Sequence, residues 1–216
     1  MREFIDEDHP IASEYYTIMD AFTKKNGNGI ISRLKNLISE DPDFFDTYNS
    51  LQDLLISIGK NDKANDLIRE AYERAVRRII NKQGNWPDRL EWEYIENRHI
   101  IRAIFNQSLS FWKNNLLDQG LKIFRKLLHS NPNDNLGVRY FILAIKQKMK
   151  FSEFNKRFAK KGYYTIKIDE WFNDNYLLFP DEFEGWRKEI ENEEEGEVDE
   201  VFDEEDFYGD SGIKFI

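Results

Sequence analysis

Apolar residues recur at three- and four-residue steps along most of the chain. The pattern is clearest between Arg98 and Tyr140. Ile101, Ile104, Phe105 and Leu109 form one stripe, and Leu117, Leu121, Phe124, Leu127 and Leu128 form another. Each stripe is the buried face of an amphipathic helix. Lys113-Asn114-Asn115 separates the two, and Asn131-Pro132-Asn133-Asp134 stops the second while supplying a cap for a third. The same reading predicts helices from Ser13 to about Lys25, from Ile30 to Ile38, from Phe44 to Ser57 and from Asp62 to Ile80. It predicts a short helical segment over Asp88–Asn97, then helices from Asp134 to about Lys148, Ser152 to Lys161 and Asp181 to Asn192. Asn26-Gly27-Asn28-Gly29 reads as a turn, Gly59 as a helix breaker, and residues 1–12 as an irregular lead-in. Tyr163–Ile168 is β-branched and aromatic, which suits a short strand or an extended segment. The fold class is all-α, built from antiparallel helix pairs.

A helix pair cannot bury its stripes alone, so a repeat is sought. Residues 45–78 carry Tyr48, Leu51 and Leu55 in a first helix, Gly59 at the turn, and Ala64 and Ala71 in a second. Residues 101–134 carry Ile104, Phe111, Gly120, Phe124, Leu127 and Pro132 at matching places, and residues 11–44 carry Ala21, Leu34, Leu37 and Pro42. This spacing resembles degenerate tetratricopeptide repeats, whose unit is about 34 residues. Pro42 and Pro132 then lie two periods apart plus an insert, placed at 79–100.

The resemblance implies a short α-solenoid over 1–161, closed by a capping unit at 135–161. An aromatic appendage follows at 162–192, and an acidic, flexible tail at 193–216. It also implies a concave groove, lined by the first helix of each pair, that takes up a peptide or helix of a partner protein. The groove positions of interest are Asn49, Asp53, Arg102, Asn106, Trp112, Lys113 and Arg139. The family's chaperone-tail clamp of Lys, Asn and Arg is not expected. Its positions hold Tyr15, Met19, Ser50, Arg102 and Asn106, of which only Arg102 fits.

Composition narrows the chemistry. The chain has no Cys, which excludes disulfides and thiolate sites. No apolar run reaches the roughly 20 residues of a membrane span, so a cytoplasmic location and no membrane partner are expected. The net charge of −10 is concentrated late: Glu189–Asp210 holds 13 acidic and no basic residues, leaving the rest slightly positive. The tail reads first as a solvated, solubilising end; Val201, Phe202, Phe207 and Tyr208 among its acids make it, as the alternative, an occupant of the groove that holds it autoinhibited.

No nucleotide-binding glycine motif is present. Asn131–Asn135 fails as a calcium loop, because Leu136 and Ile142 stand where Gly and an acid are needed. The three histidines, His9, His99 and His129, lack metal-ligand spacing; His99 and His129 are expected to serve helix ends. No enzyme activity, cofactor or metal is therefore expected. Arg98 or Arg139 is expected to pair with Glu93, Glu96 or Asp134. The alternative reading is a regulator in a nucleic-acid-associated system, with Arg74, Arg77, Arg78 and Lys82 as a basic strip and the tail as an acidic mimic. Nucleic acid is the less expected partner.

Overall fold

The computed structural model describes residues 1–23 and 27–197. The chain is predominantly helical and divides into two compact units, 1–123 and 124–216. The division falls within one helix. The proposed tail enters a helix as far as Glu197; from residue 198 onward, its autoinhibitory reading lies outside the described residues.

The first unit contains α1 (Ala12–Asp20), α2 (Gly27–Glu40), α3 (Asp46–Ser57), α4 (Asn61–Ile79), α5 (Arg98–Lys113) and the start of α6 (Leu117–Ser130). Successive helices pack on one another from α1 to α5, and α3 also packs on α5. Contact between every second helix is the signature of stacked helix pairs. Leu34, Leu37, Leu51, Leu55 and Ala64 of the predicted stripes cluster together, joined by Tyr15, Ile18 and Phe44. Ala64, Ala71 and Ala75 are buried on α4, where small side chains let helices approach closely. Helix α5 is buried on nearly every side, through Ile100, Ile101, Ala103, Ile104 and Phe105. Gly120 fits against it: a Cβ there would meet the Ser108 carbonyl oxygen at 3.1 Å.

Three expectations in this unit are corrected. Gly27, Asn28 and Gly29 form the first turn of α2 instead of a free turn. The apolar face at Ile30, Leu34 and Leu37 anchors that helix, and first-turn N–H groups need no intrahelical acceptor. Residues 88–97 are helical only in a 3-10 turn at Ile95–Asn97. Their backbone is taken by another partner, the first residues of the chain. Phe4 N–H donates to the Arg89 carbonyl, and the N–H groups of Asp88 and Arg89 donate to the Arg2 carbonyl. The irregular lead-in is thus an ordered strap. The Arg2 guanidinium fastens it further, donating to the carbonyls of Ile79 and Asn85.

The second unit holds the rest of α6, then α7 (Val138–Lys146), α8 (Phe151–Phe158), β1 (Ala159–Lys160), β2 (Tyr163–Tyr164), α9 (Lys167–Asn175) and α10 (Pro180–Glu197). Rings fill much of its core. Phe141 stacks on Phe124 at 5.6 Å and meets Phe154 at 5.3 Å. Trp171 lies 4.9 Å from Phe158, and Phe172 lies 5.2 Å from Phe183. The strand expected over Tyr163–Ile168 is shorter and does find a partner. Tyr163–Tyr164 pairs antiparallel with Ala159–Lys160 across a turn in which Lys161 and Gly162 both have positive φ. The remainder of that segment enters α9.

Asp134 caps α7 as the sequence predicts. Its Oδ1 accepts from Val138 N–H at 2.6 Å and its Oδ2 from Arg139 N–H at 3.1 Å. The chain enters this cap through Gly137 at φ 64°, where a Cβ would meet the Tyr140 ring at 2.8 Å. Gly137→Ala is expected to cost about 1–2 kcal/mol for the left-handed backbone, plus the displacement of Tyr140. The shift in the urea midpoint measures it.

Candidate functional site

Five of the seven sequence-selected positions lie along facing sides of α3 and α5. Asp46, Asn49 and Asp53 share one face of α3; Arg102, Asn106 and Lys113 share one face of α5. Arg102 forks onto Asp46, with Nε donating at 2.8 Å to Oδ1 and the second bond going to Oδ2. One turn on, Asn106 Nδ2 donates to Asn49 Oδ1 at 2.9 Å. Further along, Asp53 lies within electrostatic reach of Lys113. Burial pushes its carboxyl up to about 6, with the lysine charge opposing. Beside this row, Tyr15 of α1 and Ser50 of α3 share a hydrogen bond at 2.8 Å. The result is a polar ladder across three neighbouring helices. Arg102, Asn49, Asn106 and Asp53 are half-buried and Lys113 is exposed. Trp112, also selected from the sequence, is only 3% exposed and belongs to the core.

Arg139, the seventh position, lies in the second unit. Its guanidinium donates to Asp134 Oδ2 at 2.9 Å, the pairing the sequence suggested, and lies 4.2 Å from the Tyr140 ring centroid. Tyr140 in turn donates its hydroxyl to Asp169. Arg98 donates to the Trp92 carbonyl at 2.9 Å. The second unit also has an open recess of about 300 Å³ lined by Tyr176, Leu177, Pro180 and Phe183. The nearby cations Arg187 and Lys188 pair with Glu191 and Glu184.

A second polar cluster in the first unit is centred on Asp6. The Asp6 side chain is 2% exposed, and four bonds surround it. Its Oδ1 accepts from Arg78 Nε at 2.6 Å. Its Oδ2 faces His99 Nε2 at 3.0 Å and His9 Nε2 at 3.2 Å. Its backbone N–H donates to Asn97 Oδ1 at 3.0 Å. Burial disfavours the Asp6 charge, but the bonds from His9, His99 and Arg78 outweigh it and hold the carboxyl well below the usual range.

The partners settle the proton positions. Phe45 N–H donates to His99 Nδ1 at 3.0 Å. That nitrogen must therefore present a lone pair, and Nε2 must carry the proton that Asp6 accepts. His99 is neutral. Burial keeps its pKa below the ordinary value, against the pull of Asp6 and Asp46. His9 is the opposite case. Its Nδ1 faces Asp41 Oδ2 at 2.7 Å and its Nε2 faces Asp6 Oδ2. Carboxylates only accept, so both ring nitrogens donate and the ring is an imidazolium. Burial works against this charge, but the two carboxylates raise the pKa above its ordinary value. The expected helix-end role of His99 is thereby corrected: it is an internal connector, and it also holds the first backbone N–H before α3.

Asp6 Oδ2 and the two Nε2 atoms lie within 4.8 Å of one another, close enough to ask whether they hold a metal. The donor set does not fit one. A His99 Nε2 ligand needs its proton moved to Nδ1, where Phe45 N–H already points. The Arg78 guanidinium beside Asp6 adds a positive charge against a dication. The arrangement is an internal ion cluster.

No protein-family model, no curated protein and no solved structure matches this chain. The stacked helix pairs are a general helical-repeat arrangement, and the tetratricopeptide likeness remains at the level of the residues that carry it. No described helix is long and apolar enough to cross a membrane.

Proposed function

We propose that this chain is a non-enzymatic protein-interaction module, in which the ladder on α1, α3 and α5 takes up an extended segment of a partner. The observation that carries this reading is the row Asp46–Arg102, Asn49–Asn106 and Asp53–Lys113 on adjacent helices, which runs from the buried Asp46 to the exposed Lys113. An Asn side chain offers a donor and an acceptor together, which matches the amide groups of an extended peptide backbone. Asp53 is held partly out of water with a raised pKa, and an N–H or cationic group from a partner would restore its solvation. Asp46 fixes Arg102 in place, so part of the ladder is ordered before binding. Trp112 supports α5 from the core.

The basic-strip alternative is weaker on this geometry. Arg74 is engaged by Glu70 and Asp43, and Arg78 by Asp6, Glu7 and Asp43. Two of its four cations are thus neutralised by the chain's own carboxylates.

The test is selection of peptides from a random display library on the full chain, followed by affinity measurements on variants. Asn49→Ala and Asn106→Ala are each expected to weaken the selected peptides about tenfold, the scale of one or two hydrogen bonds. Each should cost stability by only about 1 kcal/mol. Unchanged affinities in both variants would remove the ladder from the binding surface.

A further inference from the structure

The Asp6 cluster joins parts of the first unit that are far apart in sequence. Asp6 and His9 come from the N-terminal strap, Asp41 from the turn after α2, Arg78 from α4, and His99 from α5. The strap has its own reporters of closure. Phe4 N–H is bonded to Arg89, Asp6 N–H to Asn97, and the N–H groups of Asp88 and Arg89 to Arg2. Asn97 Nδ2 returns bonds to the carbonyls of Phe4 and Glu91. The two histidine rings sit edge to face at 4.8 Å, yet their hydrogen-bond partners demand opposite protonation states.

We propose that this cluster is a two-sided proton latch: the strap over residues 2–9 stays closed while His9 is charged and His99 is neutral, and loosens when either ring changes state. Deprotonating His9 leaves one of its nitrogens facing a carboxylate oxygen without a hydrogen between them. Protonating His99 aims an N–H at the N–H of Phe45. Each change breaks a different bond: deprotonating His9 loses the strap's own bond to Asp6 or Asp41, and protonating His99, whose ring packs against His9 of the strap, loses the bond from Phe45 N–H. The acid-side change reaches further. Phe45 immediately precedes Asp46, the carboxylate that fixes Arg102 in the ladder. The latch does not depend on the binding proposal.

Asp6 of the strap, Asp41 of the turn after α2 and Asp46 of α3 act on the rings directly. Around them, Arg78 of α4 pairs with Asp6, Glu7 and Asp43, Arg74 of α4 pairs with Asp43, and Arg102 of α5 pairs with Asp46. Asp53 also titrates near pH 6, but its interaction is with Lys113.

The sign of each limb follows from linkage. His9 has a raised pKa when closed, so its stabilisation is complete below about pH 6.5, the value of a free ring, and falls as pH rises toward the closed-state value. His99 has a lowered pKa when closed, so its limb is complete above about pH 6.5 and falls as pH drops. Strap closure is therefore greatest near about pH 6.5 and declines on both sides, by up to about tenfold per pH unit on each limb.

The experiment is amide hydrogen exchange on the full chain from pH 5 to 9, corrected for intrinsic rates. Protection at Phe4, Asp6, Asp88 and Arg89 is read against Ala71 inside α4. Ring nitrogen-15 spectra of the same samples assign the histidine protons. The expected result is a bell-shaped strap protection, with His9 doubly protonated and His99 protonated at Nε2 near its maximum. His9→Gln should lower protection at pH 6.5 and flatten the alkaline limb. Strap protection that tracks Ala71 at every pH would overturn the latch, as would an unchanged alkaline limb in His9→Gln. Saturable binding of one equivalent of Zn²⁺ with loss of the Nε2 protons would also overturn it, in favour of a metal site. If the variant does not fold, the ring titrations of the unaltered chain decide between these outcomes.

Discussion

Asp6→Ala is expected to destabilise the first unit by about 3–5 kcal/mol, the range for removing one partner of a buried ion pair. The size follows from what remains. Arg78 and His9 keep their charges, and His99 keeps a donor, with no carboxylate at their centre. The strap also loses its fastening to α4 and α5. Urea denaturation at pH 6.5 measures the effect. Asp66→Ala is the contrasting variant, since its pair with Arg69 is exposed on both sides and should be worth about 0–1 kcal/mol. A loss for Asp6→Ala no larger than that for Asp66→Ala would mean that the cluster does not hold the strap.

Phe141→Ala should cost the second unit about 3–5 kcal/mol, the usual range for emptying a buried aromatic site. Phe141 is fully buried, and Phe124, Phe154 and Tyr164 all pack on it within 5.9 Å. Three rings from separate elements cannot all move inward to fill the space. Leu177→Ala provides the baseline. That residue is 69% exposed and its loss should fall within about 0.5 kcal/mol. The unfolding midpoint, followed through the fluorescence of Trp171 and Trp186, reports both variants. Equal midpoints would show that the ring cluster is not what stabilises this unit.

The helices were legible because each buries one continuous stripe, and a stripe is local information. The Asp134 cap was legible for the same reason, since its acceptors serve residues four and five positions on. The pairing of α3 with α5 came from the spacing of first helices in a repeat, and it placed Asn49, Asp53, Arg102, Asn106 and Lys113 together. Residues 88–97 are not legible locally, because their hydrogen-bond partner, the strap, is more than eighty residues away in sequence. The glycines at 27 and 29 were read by their intrinsic preference, which the stripe that follows them overrode.

The Asp6 cluster had no local signature, since His99 is 93 residues from Asp6. One signal could have exposed it. Helix α5 carries apolar residues on almost every face, so it lies deep in the unit, and a histidine among them needs a polar partner. Acidic residues beside His9, at the other end of the unit, were available to supply it. Trp112 shows the converse error. Its position on the first helix suggested the ladder, but a residue one place before Lys113 points about 100° away around the helix and into the core.

The most direct test of the interaction reading is chemical-shift mapping of a library-selected peptide on the full chain. The expected result is a contiguous set of changes at Asn49, Asp53, Asn106 and Lys113, with Tyr15 and Ser50 at its edge. Changes confined to the second unit or to the Arg74–Lys82 strip, with these residues unmoved, would contradict it.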